Sequence, residues 1–130
     1  VEDDEDDALL FRRAMEKVEP GCPIQVATDG QMAIDYFAGS GKFQDRQAFP
    51  LPCLVLLDLK LPQVPGLDVL KWIRGEARSD VPVVILSSSQ HKEDVSTAYK
   101  LRGNAYLVKP SDPAQLLEIA KMIALILKHL

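Results

Sequence analysis

The residues able to do chemistry stand at the ends of apolar runs. Residues 54–62, LVLLDLKLP, carry four apolar side chains straight into a carboxylate, Asp58. A run such as Leu54 to Leu57 predicts a strand buried on both faces, as in a parallel sheet covered by helices. An ionised carboxylate at the end of such a strand is costly unless something pairs with it. Other runs end in the same manner: Val1 leads into Glu2 and Asp3, VVIL into Ser87, and AYLV into Lys109.

Three carboxylates, a hydroxyl and an ammonium would therefore meet at one sheet edge. Clustered carboxylates repel and raise one another's pKa, and a bound divalent cation resolves this. Hard oxygen ligands favour Mg²⁺, which keeps waters and prefers phosphate oxygens. The lysine and the hydroxyl suit the remaining oxygens of a phosphoryl group, which completes an electrostatic clamp for phosphoryl transfer. A carboxylate such as Asp58 can itself be the nucleophile, forming an aspartyl-phosphate.

Positioning this set requires alternating elements. Residues 5–19 place Leu9, Leu10, Ala14 and Val18 at helical spacing, and Pro20-Gly21 ends the segment. PIQVAT at 23–28 reads as a short strand, and Asp29 as the cap of a helix through about Phe37. A polar loop at 39–50 precedes the strand ending at Asp58. Residues 66–78 form a helix anchored by Leu67, Leu70, Trp72 and Ile73. VPVVILS at 81–87 is a second buried strand, and a helix from Lys92 stops at Gly103. AYLV at 105–108 is a third buried strand, and 113–129 is the last helix.

This alternation predicts an α/β fold: a doubly wound, five-stranded parallel sheet in the order 2-1-3-4-5, with helices on both faces. All 130 residues fit one such domain. Only Val1 stands for the first strand, so about five apolar residues are expected upstream of it.

Net charge is −4, but six of the 19 acids lie at Glu2–Asp7, and the remainder has 15 basic against 13 acidic residues. No basic stripe of the kind nucleic acid requires is present. No apolar run approaches a membrane span, and two cysteines make no disulfide framework, which points to a reduced, cytoplasmic protein. Cys53 is expected to pack as a small hydrophobe. GSGK at 39–42 is no phosphate loop, because Phe43 replaces the required Ser or Thr and no strand precedes it. His91 and His129 have no metal partners in the pattern and are expected to be exposed.

VEDD, LVLLDLKLP, VVILSS and YLVKP, in this order and with 22 residues from Ser87 to Lys109, resemble the receiver domain of two-component response regulators, the CheY-like family. The resemblance implies that Asp58 accepts a phosphoryl group from a histidine kinase. It implies Mg²⁺ at Asp3 and Asp58, with the backbone carbonyl of Lys60 as a further ligand and Glu2 acting through water. Lys109 would hold a phosphate oxygen, Ser87 would turn toward the phosphate, and Tyr106 would move inward with it. Ser88 matches the small residue that leaves the phosphate accessible, and Lys60 and Ser89 match the positions that tune its lifetime. Lys109-Pro110 would be a cis peptide. Pro65 departs from the family, which usually has Asp before Gly66.

An acidic run is by itself a solvated helix start, and Asp4 to Asp7 keep that reading. Two rivals stand beside the receiver. A phosphohydrolase of the haloacid-dehalogenase type also uses a strand-end Asp with Mg²⁺, but Lys60 occupies the place of its proton-donating second Asp. A phosphate-independent interaction module would not need Asp3, Asp58, Ser87 and Lys109 together. A flavodoxin-like electron carrier lacks its phosphate loop here.

With no output domain after residue 130, a stand-alone regulator is expected, and the resemblance implies that it signals through its fourth helix, fifth strand and fifth helix to a downstream protein target. In the last helix, Leu116, Ala120, Ile123 and Leu127 form one stripe, and Met122 and Leu125 fall outside it at about 100° per residue. That predicts a homodimer or target contact through this helix. The loop at 39–50 and SSSQHKEDV also resemble regulators paired with bacterial phytochrome kinases.

Overall fold

The computed structural model describes all 130 residues. Helix α1 (Glu5–Val18) starts at Asp4, whose Oδ1 accepts the N–H groups of Asp6 at 2.9 Å and Asp7 at 3.1 Å. This cap satisfies two of the free amides at the helix start. Phe11, Ala14, Met15 and Val18 face the core. Leu9 and Leu10 do not, contrary to the sequence expectation: they are 45% and 46% exposed. The inward stripe runs 11-14-15-18, which turns positions 9 and 10 outward.

Helix α2 (Gly30–Ala38) is capped by Asp29, which accepts the Met32 N–H at 2.7 Å, and ends at Gly39 in the left-handed region, φ 71°. A short 3₁₀ turn (Gly41–Phe43) leads to β1 (Val55–Leu57). There follow α3 (Gly66–Gly75), β2 (Val83–Ser87), α4 (Lys92–Lys100), β3 (Ala105–Val108) and α5 (Pro113–Lys128). Asp112 caps α5, with Pro113 at its first position. The chain leaves α4 through Arg102, φ 66°, rather than through Gly103. Gly103 is needed for close approach, since a Cβ there would stand 3.0 Å from the Ala98 carbonyl oxygen.

The three strands are parallel in the order β1-β2-β3, with Val55 opposite Val83 and Ser87 opposite Val108. They are the third to fifth strands of the expected order. Val1 marks the place of the first. Its amine donates to the Leu56 carbonyl at 2.6 Å, its carbonyl accepts the Asp58 N–H at 3.1 Å, and the Glu2 N–H donates to Ala27 at 2.9 Å. Residues 23–28, expected as a strand, have no strand pairing, so the sheet has three strands rather than five.

Alternation along β2 builds two cores. Val83 and Ile85 join Leu57, Val69, Leu70 and Ile73 beneath α3, while Val84 joins Ala14, Met15, Ala120 and Ile123 beneath α1 and α5. β3 is an edge, with Val108 43% exposed, not the fully buried strand expected. Cys53, also expected inside, is exposed because it precedes the paired residues of β1. The buried Arg74 ties loops together: its guanidinium donates to the carbonyls of Ser79, Val81 and Arg102 and to Asn104 Oδ1, at 2.7–3.2 Å.

Candidate functional site

Asp58 follows β1 directly and is 5% exposed. Its Oδ1 accepts the Lys60 N–H at 3.3 Å, and its Oδ2 accepts Lys109 Nζ at 3.0 Å. The loop behind it is held by the Gly66 N–H, which donates to the Leu59 carbonyl at 2.9 Å. Any Cβ on Gly66 would run into the Asp58 carbonyl oxygen and stand 2.6 Å from Leu59 Cα. Pro65, the departure from the family pattern, serves as the cap residue of α3 and leaves this approach intact.

Lys109 reaches the site because its N–H donates to the Ser87 carbonyl at 2.8 Å, which carries the β2–β3 ladder to the strand ends. Its ammonium then meets three acids: Glu2 at 2.9 Å, Asp58 at 3.0 Å and Asp7 at 3.1 Å. Glu2, Asp3 and Asp58 each bring a carboxylate oxygen to within 4.8 Å of the others. A group of hard oxygen donors this close fits a divalent cation.

Burial pushes the Glu2 carboxyl above its ordinary range, helped by the nearby Asp58 and opposed by the Lys109 hydrogen bond. Burial disfavours the charged form of Lys109, but its bonds to Glu2, Asp58 and Asp7 outweigh this and raise its pKa. The lysine is therefore a fixed positive charge at neutral pH, already seated among the acids.

Of the other expected site residues, Ser87 is fully buried, Ser89 is 4% exposed, and Ser88 and Lys60 face solvent. Tyr106 is half-buried, and its hydroxyl donates to the Ser89 carbonyl at 2.9 Å. His91 and His129 are exposed. The Lys109-Pro110 bond is trans, not cis. A prolyl amide lowers the cost of cis without removing the trans preference of about 0.5–1 kcal/mol.

Asp7 was missed from sequence. It stands in the first turn of α1, where side chains lean back toward the helix start, and this turns it onto Lys109. Its spacing of five residues from Glu2 was the available signal, masked by the acids between them.

Residues 1–121 match the family described as the response regulator receiver domain. The chain belongs to that family. It is 39% identical over 111 residues to the probable methanogenesis regulatory protein FilR2 of Methanothrix harundinacea, covering 85% of this chain and 69% of that one. It is 30% identical over 124 residues to response regulator Rcp1 of Synechocystis, covering 95% and 82%. The Mn(2+)-bound form of Rcp1 superimposes with a TM-score of 0.81 at 29% identity, covering 95% and 87%. The phosphorylated cyanobacterial phytochrome response regulator RcpA does so with a TM-score of 0.86 at 32% identity, covering 95% and 86%. This receiver is thus a CheY-like signalling domain of two-component systems. No helix in it is long and apolar enough to cross a membrane.

Proposed function

We propose that Asp58 is the phosphoacceptor of this receiver and that a sensor histidine kinase is the donor. The observation that carries this is the seat of Lys109 Nζ, 3.0 Å from Asp58 Oδ2 beside the acids Glu2 and Asp3. An Asp58 oxygen attacks phosphorus, the P–N bond of the phosphohistidine breaks, and the imidazole leaves with the electron pair and takes up a proton. Lys109 holds a phosphoryl oxygen and offsets the added charge. Ser87 turns its hydroxyl toward the phosphoryl group, and Tyr106 follows. Ser88 leaves the approach open, and Lys60 and Ser89 set how readily water reaches the product.

Mg²⁺ is the cation proposed for Glu2, Asp3 and Asp58, with the Lys60 carbonyl as a further ligand. It would neutralise the carboxylates and the incoming phosphoryl oxygens. The Mn(2+)-bound Rcp1 supports a divalent ion in this kind of site. Self-catalysed phosphorylation and dephosphorylation, within one domain spanning 1–130, complete the reading. A turnover enzyme of the haloacid-dehalogenase type is disfavoured because Lys60 stands where its proton-donating Asp would be.

For output, Met122 and Leu125 are 40% and 59% exposed on α5, beside a Glu118–Lys121 ion pair. Their exposure supports a homodimer or protein target at this helix. Unchanged mass by light scattering in Leu125→Glu, with and without phosphorylation, would remove the dimer.

The deciding experiment is intact mass after incubation with acetyl phosphate and Mg²⁺, beside Asp58→Asn. A single phosphoryl adduct that needs Mg²⁺ and is lost in the variant is expected. An adduct that persists in Asp58→Asn, or sustained phosphomonoester turnover, overturns the assignment.

A further inference from the structure

Every polar group of the buried Ser89 is engaged. Its N–H donates to Ser87 Oγ at 3.2 Å, and its carbonyl accepts the Tyr106 hydroxyl at 2.9 Å. Its own hydroxyl donates to Asp94 Oδ2 at 2.5 Å and accepts the His91 N–H at 3.4 Å. The bond to Asp94 is the short, charge-assisted kind, and Asp94 lies in the first turn of α4. Ser89 therefore joins the end of β2, the middle of β3 and the start of α4 at one point.

This junction has a consequence for switching. A hydroxyl carries one proton and two acceptor positions, and its orientation is a single rotor. If Ser87 Oγ turns to a phosphoryl group, the Ser89 N–H loses its acceptor in a site 4% exposed, where an unmade bond is costly. Ser89 must shift to find another, and its hydroxyl is fastened to α4.

We propose that Asp94 is a positioning residue of the switch, anchoring Ser89 so that rotation of Ser87 is transmitted to helix α4. The inference rests on Asp58 being the phosphoacceptor. Asp94 takes no part in the phosphoryl chemistry itself. Its carboxylate converts a change at the sheet edge into a change at the helix surface.

Hydrogen exchange read by mass spectrometry tests this on the full chain, with Mg²⁺ and with or without beryllofluoride as the phosphoryl mimic. Peptides covering 58–61 report the acceptor loop, and peptides covering 92–100 report α4. In the unaltered protein both should respond. In Asp94→Ala the 58–61 response should persist. The α4 amides should exchange about tenfold faster without the mimic and no longer respond to it, the size expected for one lost bond to a charged group. Asp94→Asn, whose amide oxygen still accepts from Ser89, should restore the α4 response.

An α4 response in Asp94→Ala equal to that of the unaltered protein overturns the proposal. So does an Asp94→Asn that behaves like alanine, since the effect would then be the helix-terminal charge. Silence at 58–61 in the unaltered protein overturns the phosphoacceptor reading instead, and with it the basis of the proposal.

Discussion

The ammonium of Lys109 lies 3.1 Å from Asp7 Oδ2, an acid that is not among the three carboxylates grouped for a cation. Asp7 thus offers Lys109 a partner that a bound cation does not claim. Asp7→Asn should weaken Mg²⁺ binding, because the lysine then gives up Glu2 and Asp58 with nothing in return. The Asp7 side chain is 44% exposed, so solvent screening limits the effect to about two- to fivefold in Kd. Calorimetric titration with Mg²⁺ measures it, and an unchanged Kd would make Asp7 a bystander.

Gly66 has no room for a side chain against the Asp58 carbonyl. Gly66→Ala must push the 58–61 loop away, costing about 1–3 kcal/mol by overpacking. The expected outcome is a lower urea midpoint together with slower adduct formation from acetyl phosphate. Gly75→Ala is the control, since nothing lies within 4 Å of a Cβ there.

Arg74 is 8% exposed and has no acid bonded to it; backbone carbonyls and one amide oxygen hold it instead. Burial lowers its pKa, with the charge of Arg102 adding to the effect. A lysine ammonium cannot span four acceptors that a planar fork reaches together. Arg74→Lys should cost about 2–4 kcal/mol in chemical denaturation, as the partly buried carbonyls around it lose their donors. A loss below half a kcal/mol, on the order of a surface substitution, would mean that water replaces the guanidinium.

The cysteines should differ in reactivity. Burial pushes the Cys22 thiol up, and Glu19, Cys53 and Glu16 push in the same direction. A raised thiol pKa leaves less thiolate at any pH below it, so Cys22 alkylation should rise only at higher pH than for an ordinary thiol. Cys53 is exposed and should label first at pH 8. Iodoacetamide labelling followed by peptide mass resolves the two, and urea should abolish the difference. Equal rates in the folded protein would contradict the burial of Cys22.

Much of the site was legible because parallel strands aim their carboxyl ends at one edge. Once LVLLD, VVILS and AYLVK are read as neighbouring strands, Asp58, Ser87 and Lys109 must converge. Asp7 and Asp94 were not legible in that way. Each sits in the first turn of a helix, where an acid is favoured by the helix dipole whether or not it has a partner. Cys53 and Leu9 misled for a related reason, since an apolar or small residue near an element does not say which side of it faces the core.

The sequence by itself determined the five helices and the three paired strands, the family, and the acids, hydroxyl and lysine that meet at the sheet edge. These follow from local periodicity and from the position of each polar residue at the end of an apolar run. Only the tertiary structure decided that Lys109 is shared among Glu2, Asp58 and Asp7, and that Ser89 ties Ser87 to Asp94. Those choices are made between residues up to 107 positions apart, by distances of about 3 Å that no local pattern encodes.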